Sequence, residues 1–256
     1  MTFGLLKNMS NNSVLPQIII LYGPNNAGKG TQSAYLKELF PERYHLDFGT
    51  ELRSFVSRNI GDINQHGENV NTSAKPEDVA VARSLKIDMS ASNPAKTEDL
   101  KYVIESAITN CIKSGQGMIV EGPGRLVEEA QWLSEFMDSQ QAQVCIFHLH
   151  ISLEEALERA IKRYYVKGID KPFISLEAAQ NACKDGQEPY KRGDDLDPEG
   201  VKKRYVNMYS ENFALITSIY QLGAKAQVFT LDGRKQIDEV SSDISKYLER
   251  FYGWFK

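Results

Sequence analysis

Cysteine is scarce in this 256-residue chain, which contains 3 cysteines, Cys111, Cys145 and Cys183. Their number is odd, they are far apart, and no two form a Cys-x-x-Cys pair, which disfavours a disulfide framework, a cysteine zinc site and a dithiol redox centre. We therefore expect free thiols in a reducing compartment and a cytoplasmic protein. Histidine is also scarce, with 4 residues. His148 and His150 share one face of a predicted strand, and we interpret them as structural rather than metal-binding.

Long apolar runs and an excess of positive charge are missing as well. The longest apolar run near the start spans residues 18–22, far short of the ~20 residues that a membrane-spanning helix needs. Lys and Arg number 30 against 34 Asp and Glu, a net charge of −4, so no global positive field attracts nucleic acid or anionic lipid. We expect neither as a partner, and we expect a local cluster of cations to hold any anionic ligand. Residues 1–16, rich in Asn and Ser, are interpreted as a flexible leader rather than a secretion signal.

Short runs rich in Ile and Val alternate with helical stretches along most of the chain. Buried strands are predicted at 17–22, 44–48, 117–121, 143–151 and 226–231. Helices are predicted at 31–39, 99–113, 127–139, 153–166, 201–222 and 237–251. This alternation gives a parallel sheet with helices on both faces, an α/β three-layer sandwich around five parallel strands. Ligands of such folds bind beyond the carboxyl ends of the strands.

Two polar segments interrupt the alternation. Residues 59–96 contain one short helix candidate near 78–85, and residues 168–197 contain another at 176–183. Segments of this length without a core pattern are typically lids or binding loops.

A glycine-rich loop follows the first strand directly. Gly23, Gly28 and Lys29 have the Gly-x4-Gly-Lys spacing of a P-loop, and a predicted helix comes next. The glycines let backbone N–H groups converge on phosphate oxygens, the helix adds its positive dipole end, and the lysine adds a full charge. The hydroxyl that normally follows the lysine stands one place later, at Thr31, after Gly30. We interpret this loop as a nucleotide-phosphate site.

Arginines follow the ends of successive predicted strands. A planar guanidinium binds clustered phosphate oxygens well because it can donate two parallel hydrogen bonds. The set is Arg53, Arg125, Arg159, Arg163, Arg192 and Arg204. Arg159 and Arg163 are four residues apart on one helix, so both side chains can reach the same site. Because the strand ends share one edge of the sheet with the P-loop, we interpret the set as phosphate ligands rather than ordinary surface residues.

These segments together resemble the adenylate kinase family, or more broadly the nucleoside monophosphate kinases, over residues 17–248 apart from the two polar segments. The loop GPNNAGKGTQ is similar to the family's GxPGxGKGTQ, FGTELR to STGDxLR, and EGPGR to DGFPR. ERAIKR contains the family's paired arginines, RGDDLDPEGVKKR resembles its R-x-D-D…R motif, and TLDGRK resembles the turn near the nucleotide base. Six such motifs in the family's order are specific as a set.

The resemblance implies one P-loop kinase domain over residues 17–256. Its core would comprise residues 17–52, 97–163 and 198–256, with an acceptor-binding insert at 53–96 and a lid at 164–197. The implied reaction is reversible transfer of the γ-phosphoryl group from ATP to a nucleoside monophosphate. AMP is the leading acceptor, Mg²⁺ the implied metal, and a monomer the implied state.

The resemblance also implies a role for each matching residue. Catalytic side chains would be Lys29, Arg125, Arg163, Arg192 and Arg204. ATP would contact Asn26, Ala27, Gly28, Lys29, Gly30, Thr31, Arg159, Arg163 and Lys235. The acceptor would contact Phe48, Gly49, Arg53, Lys96, Gly122, Arg125, Glu129, Arg192 and Arg204. The metal would be held by Thr31 and Glu121.

Departures from the family pattern leave alternatives open. Asn25 and Asn26 stand in the P-loop, where their side chains can crowd the loop or contact phosphate. Glu121 replaces an aspartate, Phe48 a threonine, and Glu129 a glutamine that reads adenine. A carboxylate accepts hydrogen bonds but donates none unless protonated, so the acceptor base is left open. One alternative is a catalytically weak nucleotide-binding or sensor protein, and another is a kinase for a different small acceptor.

Overall fold

The computed structural model describes residues 17–61, 67–91, 93–123, 126–184, 186–191, 195–223 and 226–253. The predicted leader at 1–16 and the predicted site residues Arg125 and Arg192 lie outside these ranges, as do short parts of the predicted insert and lid. The side chains of residues 170 and 171 are likewise outside the description.

A parallel sheet of five strands forms the centre of the molecule. In chain order the strands are β1 (Gln17–Tyr22), β2 (Tyr44–Asp47), β3 (Met118–Glu121), β4 (Gln143–His150), β5 (Tyr164–Val166), β6 (Ile169–Phe173) and β7 (Ala226–Asp232). The sheet has the order β2-β3-β1-β4-β7, and every neighbouring pair in it is parallel. The two remaining strands, β5 and β6, form an antiparallel hairpin. The predicted α/β fold with a five-stranded parallel sheet is confirmed.

Helices cover both faces of this sheet. They are α1 (Lys29–Leu39), α2 (Phe48–Ile60), α3 (Pro76–Ser90), α4 (Thr97–Lys113), α5 (Val127–Ser139), α6 (Leu153–Lys162), α7 (Leu176–Ala182), α8 (Pro198–Tyr205), α9 (Phe213–Leu222) and α10 (Ile237–Tyr252). The core on one face includes side chains of α2, α3, α4, α5 and α9, and the core on the other includes α1, α6 and α10. Among the described helices, none is both long and apolar enough to cross a bilayer.

The central strand β1 shows why the layers form. Ile18, Ile20 and Tyr22 pack into the core on one face, and Ile19 and Leu21 pack into the core on the other. Successive side chains of a strand point to opposite faces, so a continuously apolar run requires cover on both sides. The carboxyl end of this doubly covered strand leads directly into the glycine-rich loop.

The segment between β2 and β3 is more helical than predicted. Helix α2 continues to Ile60, and α3 spans 15 residues where the sequence analysis predicted only a short helix near 78–85. Asp47 caps α2, because its Oδ1 accepts a hydrogen bond from the Thr50 N–H at 2.7 Å. Pro76 opens α3 at a position where its missing N–H costs nothing. Polar residues on the outer faces of these helices obscured their apolar faces in the sequence.

Two predicted helices are shorter than expected. The helix predicted at 153–166 ends at Lys162, and the Tyr-Tyr-Val that follows forms β5. Aromatic and β-branched residues favour a strand, and Gly168, with φ of 83°, lies in the turn to β6. The helix predicted at 201–222 is interrupted by a π-helical turn at Val206–Ser210, between α8 and α9.

Candidate active site

The loop between β1 and α1 packs against the ends of two strands. A Cβ added to Gly23, whose φ is 140°, would lie 2.3 Å from Leu149 O in β4, so only glycine fits there. A Cβ added to Gly233, just after β7, would lie 3.1 Å from Ala27 O. Gly28, with φ of 97°, is the N-cap of α1, so the unpaired N–H groups of the first helical turn adjoin the loop. These backbone contacts fix a preformed phosphate-binding loop.

Lys29, the first residue of α1, folds its side chain back over its own loop. Its Nζ donates to Gly23 O at 3.0 Å and to Pro24 O at 2.7 Å. A phosphate oxygen carries charge and is a stronger acceptor for an ammonium than a neutral carbonyl. At 4 Å and an effective dielectric constant of about 20, one pair of unit charges gains about 4 kcal/mol before desolvation. An incoming phosphate can therefore displace these carbonyl contacts.

Two arginines, Arg159 in α6 and Arg163 directly after it, contact the same loop. Arg159 donates through Nη1 to Asn26 O at 3.4 Å and through Nη2 to Gly233 O at 2.8 Å. Arg163 donates through Nη1 to Oδ1 of Asn26, and Nδ2 of Asn26 donates to Ala156 O at 2.9 Å. Both guanidinium groups thus contact the P-loop, although α6 ends at Lys162 and Arg163 follows it in extended backbone. Their predicted roles toward ATP stay predictions.

A carboxylate lies beside the first turn of α1. Glu121 ends β3 opposite Leu21 of β1, and a Cβ added to Gly30 would lie 3.4 Å from its Oε1. Gly122, with φ of 83°, donates its N–H to Leu21 O at 3.3 Å, and Thr31 is exposed. Among the described residues, no three His, Cys, Asp or Glu side chains are grouped to hold a metal. Mg²⁺ commonly takes only one or two carboxylates and completes its shell with water and substrate phosphates, so this carboxylate and hydroxyl fit it.

A further guanidinium lies at the end of β2. A Cβ added to Gly49 would lie 3.2 Å from Nη1 of Arg53 and 3.3 Å from Oδ1 of Asp47. Arg53 is exposed, and its Nη2 donates to Thr50 Oγ1 at 3.0 Å. Asp47 lies opposite Glu121 in the parallel pair β2–β3. Arg53 and Glu121 therefore lie at the same edge of the sheet as the P-loop.

Curated proteins named adenylate kinase are similar to this chain over most of its length. No protein-family model matches the chain. The adenylate kinase of Elusimicrobium minutum is 24% identical over 241 residues, which cover 91% of this chain and 99% of that protein. The adenylate kinase of Maricaulis maris is 26% identical over 232 residues (90% and 98%), and that of Thermosipho melanesiensis is 27% identical over 243 residues (91% and 99%). The chain is adenylate kinase-like.

Three residues predicted to contact the acceptor in this adenylate kinase-like chain have other neighbours in the structure. Phe48 is 2% exposed and packs in the core. Glu129 is 3% exposed on α5, and burial together with the nearby Glu129 carboxylate raises the pKa of the Tyr22 phenol. Lys96 is exposed, and its Nζ donates to Ser84 Oγ on α3 at 3.1 Å. Their predicted roles toward the acceptor stay predictions.

Two cationic residues of the later chain lie on elements that flank β4 and β7. Arg204 is half-buried in the last turn of α8. This turn lies at the end of β4, because the next residue, Tyr205, donates a hydrogen bond from its hydroxyl to Ile151 O at 2.8 Å. Lys235 follows β7 in the adenylate kinase-like turn, and its Nζ donates to Asp243 Oδ2 at 2.7 Å. This ion pair engages the ammonium of Lys235, and the predicted contact of Lys235 with ATP stays a prediction.

Two histidines and a tyrosine form a network in which His148 and Tyr209 are buried and His150 is exposed. Sequence reasoning placed both histidines on one strand face but did not find the tyrosine. His148 is 0% exposed, and its Nε2 lies 2.7 Å from Tyr209 Oη. His150 Nδ1 lies 2.7 Å from the same oxygen, so the phenol donates to one ring and accepts an N–H from the other. Burial, aided by the positive charges of His150 and Lys29, lowers the pKa of His148 to about 3. The one available signal was the i, i+2 spacing of the histidines, because Tyr209 is about 60 residues away in the π-helical turn.

Proposed function

We propose that the protein catalyses reversible transfer of the γ-phosphoryl group of ATP to a nucleoside monophosphate, with AMP as the preferred acceptor. The observation that carries this proposal is the position of four cationic side chains around a preformed P-loop, along one edge of a parallel sheet: Lys29, Arg53, Arg159 and Arg163. Similarity to adenylate kinases over about nine-tenths of the chain supports the same reaction.

The donor nucleotide would be held by the loop and by α6. Backbone N–H groups of residues 26–31 would bind the phosphate oxygens, and Lys29 would exchange its carbonyl partners for the β- and γ-phosphates. Arg159 would pack on the donor base, next to Gly233 and the backbone of Lys235. Mg²⁺, held through Thr31 and Glu121, would neutralise charge on the β- and γ-phosphate oxygens.

Transfer itself asks little covalent chemistry of the protein. An oxygen of the acceptor phosphate attacks the γ-phosphorus, the bond to the β–γ bridging oxygen breaks, and both nucleotides become diphosphates when the acceptor is a monophosphate. Arg163 and Arg204 would stabilise the charge on the transferred group, together with Arg125 and Arg192. Closure of the lid at 164–197 would exclude water, which competes as an acceptor.

The acceptor would lie between the core and the insert at 53–96. Arg53 would bind its phosphate near Gly49 and Gly122, and Glu129 would read its base. Phe48 and Lys96 complete the proposed acceptor side. The division into a core, an acceptor-binding insert and a lid is part of this proposal.

The placement of Asn26 supports a working kinase over the catalytically weak alternative. Both polar ends of its side chain are bonded, to Ala156 O in α6 and to the Arg163 guanidinium just after that helix. The amide is therefore committed to these groups rather than crowding the loop, which removes one of the departures that motivated the alternative.

We also propose a cytoplasmic monomer. Cys111, Cys145 and Cys183 are all free thiols, which suits a reducing compartment. The net charge of −4 supports small nucleotides, rather than nucleic acid or a membrane, as partners. The monomeric state follows from the family resemblance.

Phosphoryl transfer from ATP to AMP, CMP, UMP, GMP and dAMP tests the reaction and its acceptor. We expect the highest kcat/KM with AMP. Glu129→Gln should raise the AMP preference further, by about tenfold, because an amide both donates and accepts toward adenine. Glu128→Gln, one residue earlier on α5 and exposed, is the matched control and should leave the preference unchanged. A higher kcat/KM with another base would overturn the acceptor assignment, and no transfer to any monophosphate would overturn the reaction.

A further inference from the structure

Asn26 occupies a backbone position that does not call for a side chain. Its φ is 69°, in the left-handed region, which glycine adopts freely and other residues adopt at a cost that is smaller for asparagine. The motif that this loop resembles, GxPGxGKGTQ, has glycine at the corresponding place. The amide of Asn26 is therefore an addition that the fold of the loop does not require.

The added side chain is fixed at both ends. Asn26 is 9% exposed, and its Nδ2 donates to Ala156 O in α6 at 2.9 Å. That bond settles which end of the amide is the acceptor, and Oδ1 accepts a hydrogen bond from Nη1 of Arg163. These partners are 130 and 137 residues away in the sequence, so the amide joins the P-loop to α6 across the fold.

Arg159 in α6 and Arg163, directly after that helix, differ in the charge of their partners. Arg159 forms an ion pair with Glu155 at 3.0 Å. Within the described part of the chain, Arg163 has no carboxylate within ion-pair distance, and its hydrogen-bond partner is the neutral amide of Asn26. A guanidinium has five N–H donors, so one bond to an amide leaves four donors and the full positive charge for another ligand.

We propose that Asn26 is a positioning residue that holds Arg163 beside the phosphate loop, with no carboxylate of the described residues paired to its guanidinium. This inference rests on the proposed function, because it concerns the arginine that would stabilise the transferred phosphoryl group. An arginine that is already in place does not have to be ordered during the transfer. If Arg163 is no longer held in place, we therefore expect the chemical step to become slower and ATP binding to stay the same. Asn26 itself need not touch the transferred group.

A double-mutant cycle in kcat tests this role. The variants are Asn26→Gly, which keeps the left-handed backbone without strain, Arg163→Met, and the two combined. We expect kcat to fall about tenfold in Asn26→Gly, with the KM for ATP within about twofold of wild type. We expect a fall of about a hundredfold or more in Arg163→Met. The double variant should match Arg163→Met, because without the guanidinium there is nothing left for the amide to position.

The other outcomes separate this inference from the proposed function. A further tenfold loss on adding Asn26→Gly to Arg163→Met, or a change in the KM for ATP with kcat unchanged, would overturn the positioning role while leaving the kinase intact. Gln116→Ala, which removes another amide-to-carbonyl hydrogen bond (to Glu42 O, 2.5 Å) just before β3, at the opposite edge of the sheet from the P-loop, controls for general loss of stability and should keep kcat within about twofold. An equal loss in that control would also overturn the role. A wild-type protein without transfer activity would instead overturn the proposed function.

Discussion

At the scale of single residues, His148 makes the stability of the protein sensitive to acid. Its ring is fully buried, and desolvation is the main reason that its pKa is about 3 instead of the ordinary 6.5. The charged groups that face it, Lys29 and His150, act in the same direction, and Tyr209 and Thr230 supply neutral hydrogen-bond partners. The folded protein therefore keeps this histidine neutral at a pH where the unfolded chain has already protonated it.

This pKa predicts a pH range in which stability is lost. Above pH 6.5 both states are neutral at this position, and the full contribution of the buried ring is present. Below that pH the unfolded state binds one more proton, so the free energy of unfolding should fall by about 1.4 kcal/mol per pH unit from this residue. Urea unfolding of the wild type and His148→Gln between about pH 7 and pH 4 measures the difference. We expect the free energy of unfolding of the variant to depend less steeply on pH, by the equivalent of close to one proton. Equal pH dependence in the two proteins would contradict the account.

Individual site residues differ in how well the sequence alone locates them. Lys29 was predictable because its partners, Gly23 O and Pro24 O, lie in the same ten-residue motif. The contacts of Asn26 were not predictable, because its partners, one in α6 and one just after it, are more than a hundred residues away. Local spacing thus identifies the loop, whereas the orientation of a side chain within it depends on tertiary packing.

At the scale of elements, the joint between the P-loop and β4 has no room for a side chain. A methyl group on Gly23 would meet the backbone oxygen of Leu149 at 2.3 Å, and a backbone atom cannot move aside as a flexible side chain can. Gly115, in the turn before β3, also has a positive φ, of 71°, but has no atom within 4 Å of an added Cβ. A comparison of substitutions at Gly23 and Gly115 therefore distinguishes the effect of a steric clash from the effect of backbone strain alone.

Alanine substitutions at these two glycines should have different effects. Gly115→Ala should cost about 1–2 kcal/mol of stability, from the left-handed backbone alone, and leave ATP affinity unchanged. Gly23→Ala should cost more and weaken ATP binding at least tenfold, because the loop must shift away from β4. Chemical unfolding and calorimetric titration with ATP measure the two effects. Unchanged ATP affinity in Gly23→Ala would show that the contact with β4 does not shape the phosphate site.

The predicted bounds of two helices were wrong because the spacing of apolar residues there did not distinguish a continuous helix from an interrupted one. The Tyr-Tyr-Val after α6 continues the apolar spacing of that helix, yet it pairs with β6 in a hairpin. The run from Val201 to Leu222 has helical spacing throughout, but a π-helical turn at Val206–Ser210 interrupts it. In that turn Tyr209 reaches two histidines of β4, a long-range contact that local spacing does not encode. The five strands of the sheet were predictable because each is short, apolar and bounded by polar residues.

At the scale of the whole molecule, topology concentrates positive charge that the composition conceals. The chain as a whole has a net charge of −4. Parallel pairing nevertheless places the carboxyl ends of β1, β2, β3 and β4 at one edge. The segments that follow these strands carry the cations, because Lys29 begins α1, Arg53 lies in α2, and Arg159 and Arg163 lie in and just after α6. The alternation of strands and helices in the sequence predicted that these cations lie at one edge, because the carboxyl ends of parallel strands lie together. The preference for one acceptor base depends on a few contacts around Glu129, which alternation does not specify.

The most direct test of the central claim follows the phosphorus of equimolar ATP and AMP by ³¹P NMR in the presence of Mg²⁺. We expect the wild type to form two ADP for each ATP consumed, with little inorganic phosphate. Lys29→Met should slow this at least about a hundredfold, whereas Lys37→Met, on the same helix and exposed, should stay within about twofold of the wild type. Release of inorganic phosphate with AMP unconsumed, or full activity in Lys29→Met, would contradict a site in which fixed cations pass a phosphoryl group between two nucleotides.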